Sequence, residues 1–222
     1  MNNTMKNLIA IICPVLMNKR VPLILLAVLT MGNRCSEVDV TDQNVANTMI
    51  DLNKYWRSGY RELLGDIGTR HFNVNRTAAF TGMKKALQNL GFEIIASEGD
   101  YYLSVSIPAE SMFTDREWQL VRQNEEPQMR KVASSHLGIK GNFARLEPEG
   151  LLIDGKVTLL ETEKGTDISL TFRLNEIEPQ PPESVLPRRE YPPPYAARVG
   201  FEKIWRRFEQ LSLPIAGLSG SD

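Results

Sequence analysis

Between Leu151 and Ile177 the sequence alternates so strictly that little besides a two-stranded antiparallel unit can satisfy it. In the second half Ile168, Leu170, Phe172 and Leu174 alternate with Ser169, Thr171 and Arg173. Side chains in a strand point alternately to opposite faces, so this pattern requires one buried and one wetted sheet face. Leu151–Glu163 forms the partner strand, with Asp154-Gly155 expected as an early bulge, and Lys164-Gly165-Thr166 turns the chain. A sheet with one apolar face needs something laid on it, and the rest of the sequence supplies helices.

The best defined helix begins at Asn75, an N-cap residue, and runs over Arg76–Leu90 to Gly91. Ala79, Phe80, Met83, Ala86, Leu87 and Leu90 share one face at the 3.6-residue period. Phe92–Glu98 and Tyr101–Pro108 then read as a hairpin about Glu98-Gly99-Asp100, preceded by a short strand at Thr69–Val74. Thr114 and Glu117 have capping-box spacing and open a helix carrying Trp118, Leu120 and Val121. Pro127 is expected to break or kink it, with a second helix over Gln128–Leu137 ended by Gly138. Asn142–Glu147 reads as a weak strand. Pro179–Pro194 is proline-rich and reads as an extended connector. The last element, Ala196–Leu211, is an amphipathic helix with Ala197, Phe201, Ile204, Trp205, Phe208 and Leu211 on its apolar face.

These elements predict an α+β fold. A mostly antiparallel, curved sheet of five or six strands has helices on one face, and the long C-terminal amphipathic helix lies across it in a helix-grip-like arrangement. The expected organisation is a targeting segment over 1–34, a tether and short helix over 35–65, the α+β domain over 66–213 and a flexible tail over 214–222. With 42% hydrophobic residues among 222, the chain has material for a core without disulfides.

The N-terminal segment differs in kind from the rest. Four of the 26 basic residues and none of the 27 acidic ones precede Cys35. Two apolar runs, Leu8–Leu16 and Val21–Met31, are separated by Met17-Asn18-Lys19-Arg20. Each is shorter than the roughly 20 residues of a spanning helix. A basic start followed by a short apolar run is the pattern of an export signal. Translation from Met17 would make Lys19 and Arg20 its basic end; the alternative is one uncleaved anchor from Leu8 to Met31, with two charges midway. Gly32-Asn33-Arg34-Cys35-Ser36 after the second run resembles the start of a bacterial lipoprotein, which implies that Cys35 is the lipidated first residue of the mature chain. Arg34 and Gly32 stand where that family carries a small residue and usually Leu. Thr30 and Gly32 also suit ordinary signal cleavage after Gly32.

Two further resemblances concern the body. Phe80, Leu87 and Gly91-Phe92-Glu93-Ile94 resemble the small domains of outer-membrane assembly lipoproteins of the BamC kind, over about fifty residues. Trp118 to Phe208, including Arg188-Arg189-Glu190-Tyr191-Pro192-Pro193-Pro194, resembles proteobacterial envelope lipoproteins to which no activity is attached. These resemblances imply an envelope location and membrane association through the N-terminal segment or a lipid. They also leave room for a second envelope protein as partner.

No nucleophile elbow, phosphate-binding loop or zinc-protease helix motif occurs. His71 falls in a strand and His136 near a helix end, where the dipole stabilises it. Ser134-Ser135-His136 is too local to make a nucleophile–base pair by spacing. Glu125 and Glu126 are adjacent on a helix, point apart and read as a solvated face. No cofactor or metal site is expected. A net charge of −1 and a pI near 6.2 argue against nucleic acid as a partner. Arg188, Arg189, Arg198, Lys203, Arg206 and Arg207 form the one local basic excess, a candidate patch for an anionic partner, although the ordinary outer face of a helix accounts for it more simply. An enzyme would need His71 or His136 beside an acid in a cleft. A carrier of a hydrophobic small molecule would hold it between the C-terminal helix and the sheet, against Phe201, Trp205 and Phe208.

Overall fold

The computed structural model describes residues 41–177 and 189–212, all within one unit over Val38–Asp222. The targeting segment, Cys35, Arg188, most of the proline-rich connector and the tail lie outside the described residues. The fold is α+β. Strands β1 (Thr69–Phe72), β2 (Glu93–Glu98), β3 (Tyr102–Pro108), β4 (Leu151–Thr162) and β5 (Gly165–Glu176) make one sheet in the order β1-β5-β4-β3-β2. Every neighbouring pair is antiparallel.

The register turns the sequence alternation into a buried face. Val105 pairs with Gly155 and Gly155 with Phe172, while Leu103–Val157–Leu170 and Ile107–Ile153–Leu174 form parallel rows. All of these residues are buried. Helix α2 (Arg76–Asn89) is capped by the Asn75 side chain, which accepts from the Ala78 amide, and sets Ala79, Met83, Ala86 and Leu87 into the core. Helix α5 (Pro194–Ser212) sets Phe201, Ile204, Trp205 and Phe208 there. The Trp205 indole donates to the Ile67 carbonyl at 2.9 Å, so its one polar atom is satisfied inside the core.

Four expectations are corrected. The helix expected within 35–65 is not short: α1 runs over Asp42–Ile67, with the Thr41 hydroxyl accepting from the Asn44 amide, so from Asp42 on the segment is no tether. Ala46, Leu52, Trp56, Tyr60 and Leu63 form its buried stripe, so helical period outweighs polar composition. Pro127 does not divide its helix: α4 is continuous over Asp115–Leu137 behind the Thr114–Glu117 capping box. Pro127 and Gln123, whose carbonyl the missing amide would have bonded, are both exposed, so water reaches the freed acceptor. Asn142–Glu147 is not a strand. Its start closes a 3-10 turn (Gly138–Phe143), and side chains of α4 satisfy the backbone that follows. Arg130 donates to the Ala144 carbonyl at 3.1 Å and Arg122 to the Leu146 carbonyl at 3.2 Å, while the Leu146 amide donates to Glu126. Finally, Asp154-Gly155 holds regular register, and the irregularity falls in edge strand β2 between Ile94 and Ala96. Gly155 is required by space: a Cβ there would lie 2.8 Å from the Val105 side chain.

The β5 edge continues past short β1 and is closed by other means. Leu170 N–H donates to the Gly68 carbonyl at 2.8 Å and Leu174 N–H to the Glu190 carbonyl at 3.1 Å. Between them, Phe172 N–H donates to the Tyr60 hydroxyl. Burial pushes the Tyr60 phenol up to about 12, so it stays a neutral acceptor at physiological pH. This arrangement pins α1 along the sheet edge.

Candidate ligand pocket

An apolar cavity of about 50 Å³ lies between the first turns of α5 and the sheet. Its helix wall is Ala196, Ala197 and Gly200, and its sheet wall is Leu151 and Ile153 of β4 with Phe172 and Leu174 of β5. The short helix α3 (Ala109–Met112) with Phe113, then Trp56 and Trp118, close the sides, and Pro192 and Pro193 enter from the connector's end. The space exists because α5 carries small side chains here: a Cβ on Gly200 would stand 3.2 Å from the Met112 methyl and 3.3 Å from the Phe172 ring. Charge reaches the wall only as the exposed Glu147 and the half-buried Arg189. Such a lining offers dispersion and water exclusion to an apolar group, in a space far smaller than the roughly 300–1,000 Å³ of a pocket that holds a whole small molecule.

The residues expected to line a carrier site do something else. Phe201, Trp205 and Phe208 are fully buried and fill the core, with Phe201 4.6 Å from Phe172 and Phe208 4.7 Å from Phe72 between ring centroids. The pocket lies between the expected layers, helix and sheet, but at the first turns of α5, just ahead of Phe201. The signal available in the sequence was the run of small residues at Ala196, Ala197 and Gly200.

The basic cluster is largely engaged within the protein. Arg198 pairs with Asp66 at 2.9 Å. Lys203 bonds Glu117 at 2.8 Å and the Met112 carbonyl at 2.9 Å. Desolvation raises the Glu117 carboxyl, but the bonds from Lys203 and Thr114 together outweigh it and hold the group below its ordinary value. Arg207 reaches Gln210, Arg206 is exposed, and Arg189 belongs to the pocket wall. The described members therefore do not make one free patch.

Both histidines sit beside an acid, at the surface and away from the pocket. His71 Nδ1 lies 2.7 Å from Asp167 and its Nε2 3.2 Å from Asn73. The bond to Asp167 holds the imidazole above its ordinary value. His136 Nε2 lies 2.9 Å from Asp51, whose carboxyl is lowered chiefly by that bond. Ser134 bonds Asn142 and Ser135 the Val132 carbonyl, so neither serine is joined to His136.

The Glu125-Glu126 pair is corrected as well. Glu125 is buried and accepts from the Tyr195 amide at 2.6 Å, where the positive end of α5 meets it. Burial raises its carboxyl, against the lowering effect of that bond. Glu126 faces the other way, to Arg130 at 2.5 Å and the Leu146 amide. Both acids build structure and neither forms a solvated face.

Among the described residues no cluster of His, Cys, Asp or Glu could hold a metal ion, and no helix is long and apolar enough to cross a membrane. No known family model, curated protein sequence or solved structure matches the chain.

Proposed function

We propose that the protein is a non-enzymatic component of the cell envelope. It is exported, held at a membrane by its N-terminal segment or by a lipid on Cys35, and serves as a binding or assembly accessory. The observation that carries this reading is the charge asymmetry of the chain: an apolar, acid-free start of 34 residues ahead of a body that holds all 27 acids. The folded body is consistent with a binding role, since the cavity between α5 and the sheet is apolar and each histidine is bonded to an acid outside it. The test is expression of the full-length chain in a bacterial host, with fractionation and intact mass. A membrane-fraction species beginning at Cys35 with added acyl mass, one beginning at Asn33, or an uncleaved anchored chain supports the reading. A full-size chain confined to the cytosol overturns it.

A second reading, carriage of a hydrophobic small molecule, is favoured by one observation: the cavity between α5 and the sheet has apolar walls on both sides. Native mass spectrometry of protein from its host should then show a hydrophobic adduct. Ala197→Leu, which fills the space, should lose it while keeping the circular dichroism of the parent. A parent free of adduct counts against carriage and leaves the assembly role.

A further inference from the structure

Where α1 runs along the β5 edge, a second and larger cavity of about 640 Å³ opens toward the wetted side of the β4–β5 hairpin. Four cations line it. Arg57 and Arg61 stand one helical turn apart on α1, while Lys156 of β4 and Arg173 of β5 rise from the sheet. Arg57 and Arg173 both lie against the ring of Tyr191, 5.7 Å and 5.4 Å from its centroid. One aromatic ring thus holds guanidinium groups from two different elements in the same groove.

Among the described residues, four arginines outside the groove have close carboxylate partners, whereas others, such as Arg116, Arg145 and Arg206, stand singly at the exposed surface. Arg70 meets Glu209, Arg76 meets Asp100, Arg130 meets Glu126, and Arg198 meets Asp66, each within 2.9 Å. In the groove, Arg57, Arg61 and Lys156 have no carboxylate partner among the described residues, and Arg173 has only the exposed Glu190 at 3.9 Å. The one acid on the wall, Asp154, accepts from the Asn175 side chain. Like charges lining one concave, solvent-open site raise the local potential and favour an anion there.

We propose that this groove binds a phosphate-bearing polar group, a phosphate monoester on a body the size of a sugar. A phosphate carries roughly −1.5 to −2 charges at neutral pH and three acceptor oxygens, so it can meet donors from several directions. A planar carboxylate is satisfied by one guanidinium fork and leaves the other cations unmatched. The Thr171 hydroxyl on the same wall adds a neutral donor. The groove belongs wholly to the folded body, so its ligand is independent of how the chain is held at a membrane.

The experiment uses the full-length chain in detergent micelles, with two probes presented in the same detergent. Glucose 6-phosphate, against glucose, tests a soluble source by calorimetry. Mixed micelles of that detergent with phosphatidic acid, against the same micelles with phosphatidylcholine, test a lipid source by calorimetry. The variant is Arg61→Glu with Lys156→Glu, two exposed cations without partners, and the control is Arg206→Glu on the outer face of α5. The expected result is phosphate-dependent binding in one arm or both, reduced at least tenfold in the double variant and unchanged in the control. Binding in neither arm, or a double variant that melts and binds like the parent, overturns the proposal. Equal losses in the variant and the control also overturn it, by showing an effect of net charge alone.

Discussion

The larger apolar cluster, between the sheet and helices α2 and α5, joins Met83, Leu87, Leu103, Phe172, Phe201 and Trp205. The smaller one joins Leu52 and Trp56 of α1 to Val121 and Met129 of α4, with Leu146 and Ala196. Repetition builds the first: alternate residues of three strands meet every third or fourth residue of two helices. Single polar bonds hold the second. Glu125 fixes the start of α5, and Arg122, Glu126 and Arg130 fix the chain at 144–146. A periodic core distributes its stability over many interchangeable contacts. A pinned one concentrates it in a few atoms that have no substitutes.

Trp205→Ala should give the largest effect. It removes a fully buried indole and its bond to the Ile67 carbonyl, and large-to-small changes of this kind cost about 3–5 kcal/mol. Urea unfolding measures it. A loss below about 1 kcal/mol would mean that the core collapses around the gap, and would erase the contrast with the smaller cluster.

Glu125→Ala should come next, at about 1–3 kcal/mol, because the Tyr195 amide is left without its acceptor. Glu125→Gln keeps an acceptor oxygen and separates this loss from the charge. Burial raises the folded-state carboxyl above its ordinary 4.5, so the folded chain holds that proton to higher pH than the unfolded chain does. The contribution of this group is complete below the ordinary value and is lost as pH rises through the raised one. Glu125→Gln should remove that part of the slope in an acid-to-neutral series of unfolding curves.

The same contrast decides what could be read from the sequence. The β4–β5 hairpin, α2 and α5 were legible because each repeats its instruction, as Ile168 to Leu174 and Phe201 to Phe208 do. The first turns of α1 were misread because Asp42, Asn44 and Asn47 dominate the composition while Ala46, Leu52 and Trp56 carry the period. The strand expected at Asn142–Glu147 failed for a different reason. Its carbonyls are answered by arginines 14 and 24 residues earlier, and no local pattern encodes that. The pocket was hidden likewise. It depends on the smallness of Ala196, Ala197 and Gly200 opposite Met112 and Phe172, a relation between distant segments.

Pro127→Ala should stabilise the protein by about 1 kcal/mol, less than the roughly 3 kcal/mol separating proline from alanine in an ordinary helix interior. The discount follows from the exposure of Pro127 and Gln123, which lets water meet the freed carbonyl. The added amide would strengthen α4 directly between Glu126 and Arg130. Thermal melting measures the gain. No gain would show that the side-chain bonds on either side already hold the helix as firmly as its own ladder.

His71 should give the smallest effect and the clearest sign. Its bond to Asp167 ties β1 to β5 at the surface, outside both clusters. The imidazole is held above its ordinary 6.5 by that bond. Its contribution is therefore fully present below the ordinary value and lost as pH rises through the raised one. Both His71 and Glu125 weaken the fold as pH rises, but in separate windows, one beginning near 6.5 and the other near 4.5. A pH series of melting temperatures on His71→Ala should flatten only the upper window, and Glu125→Gln only the lower. If His71→Ala altered the lower window as well, strand β1 and the start of α5 would be coupled, and the two clusters would have to be treated as one.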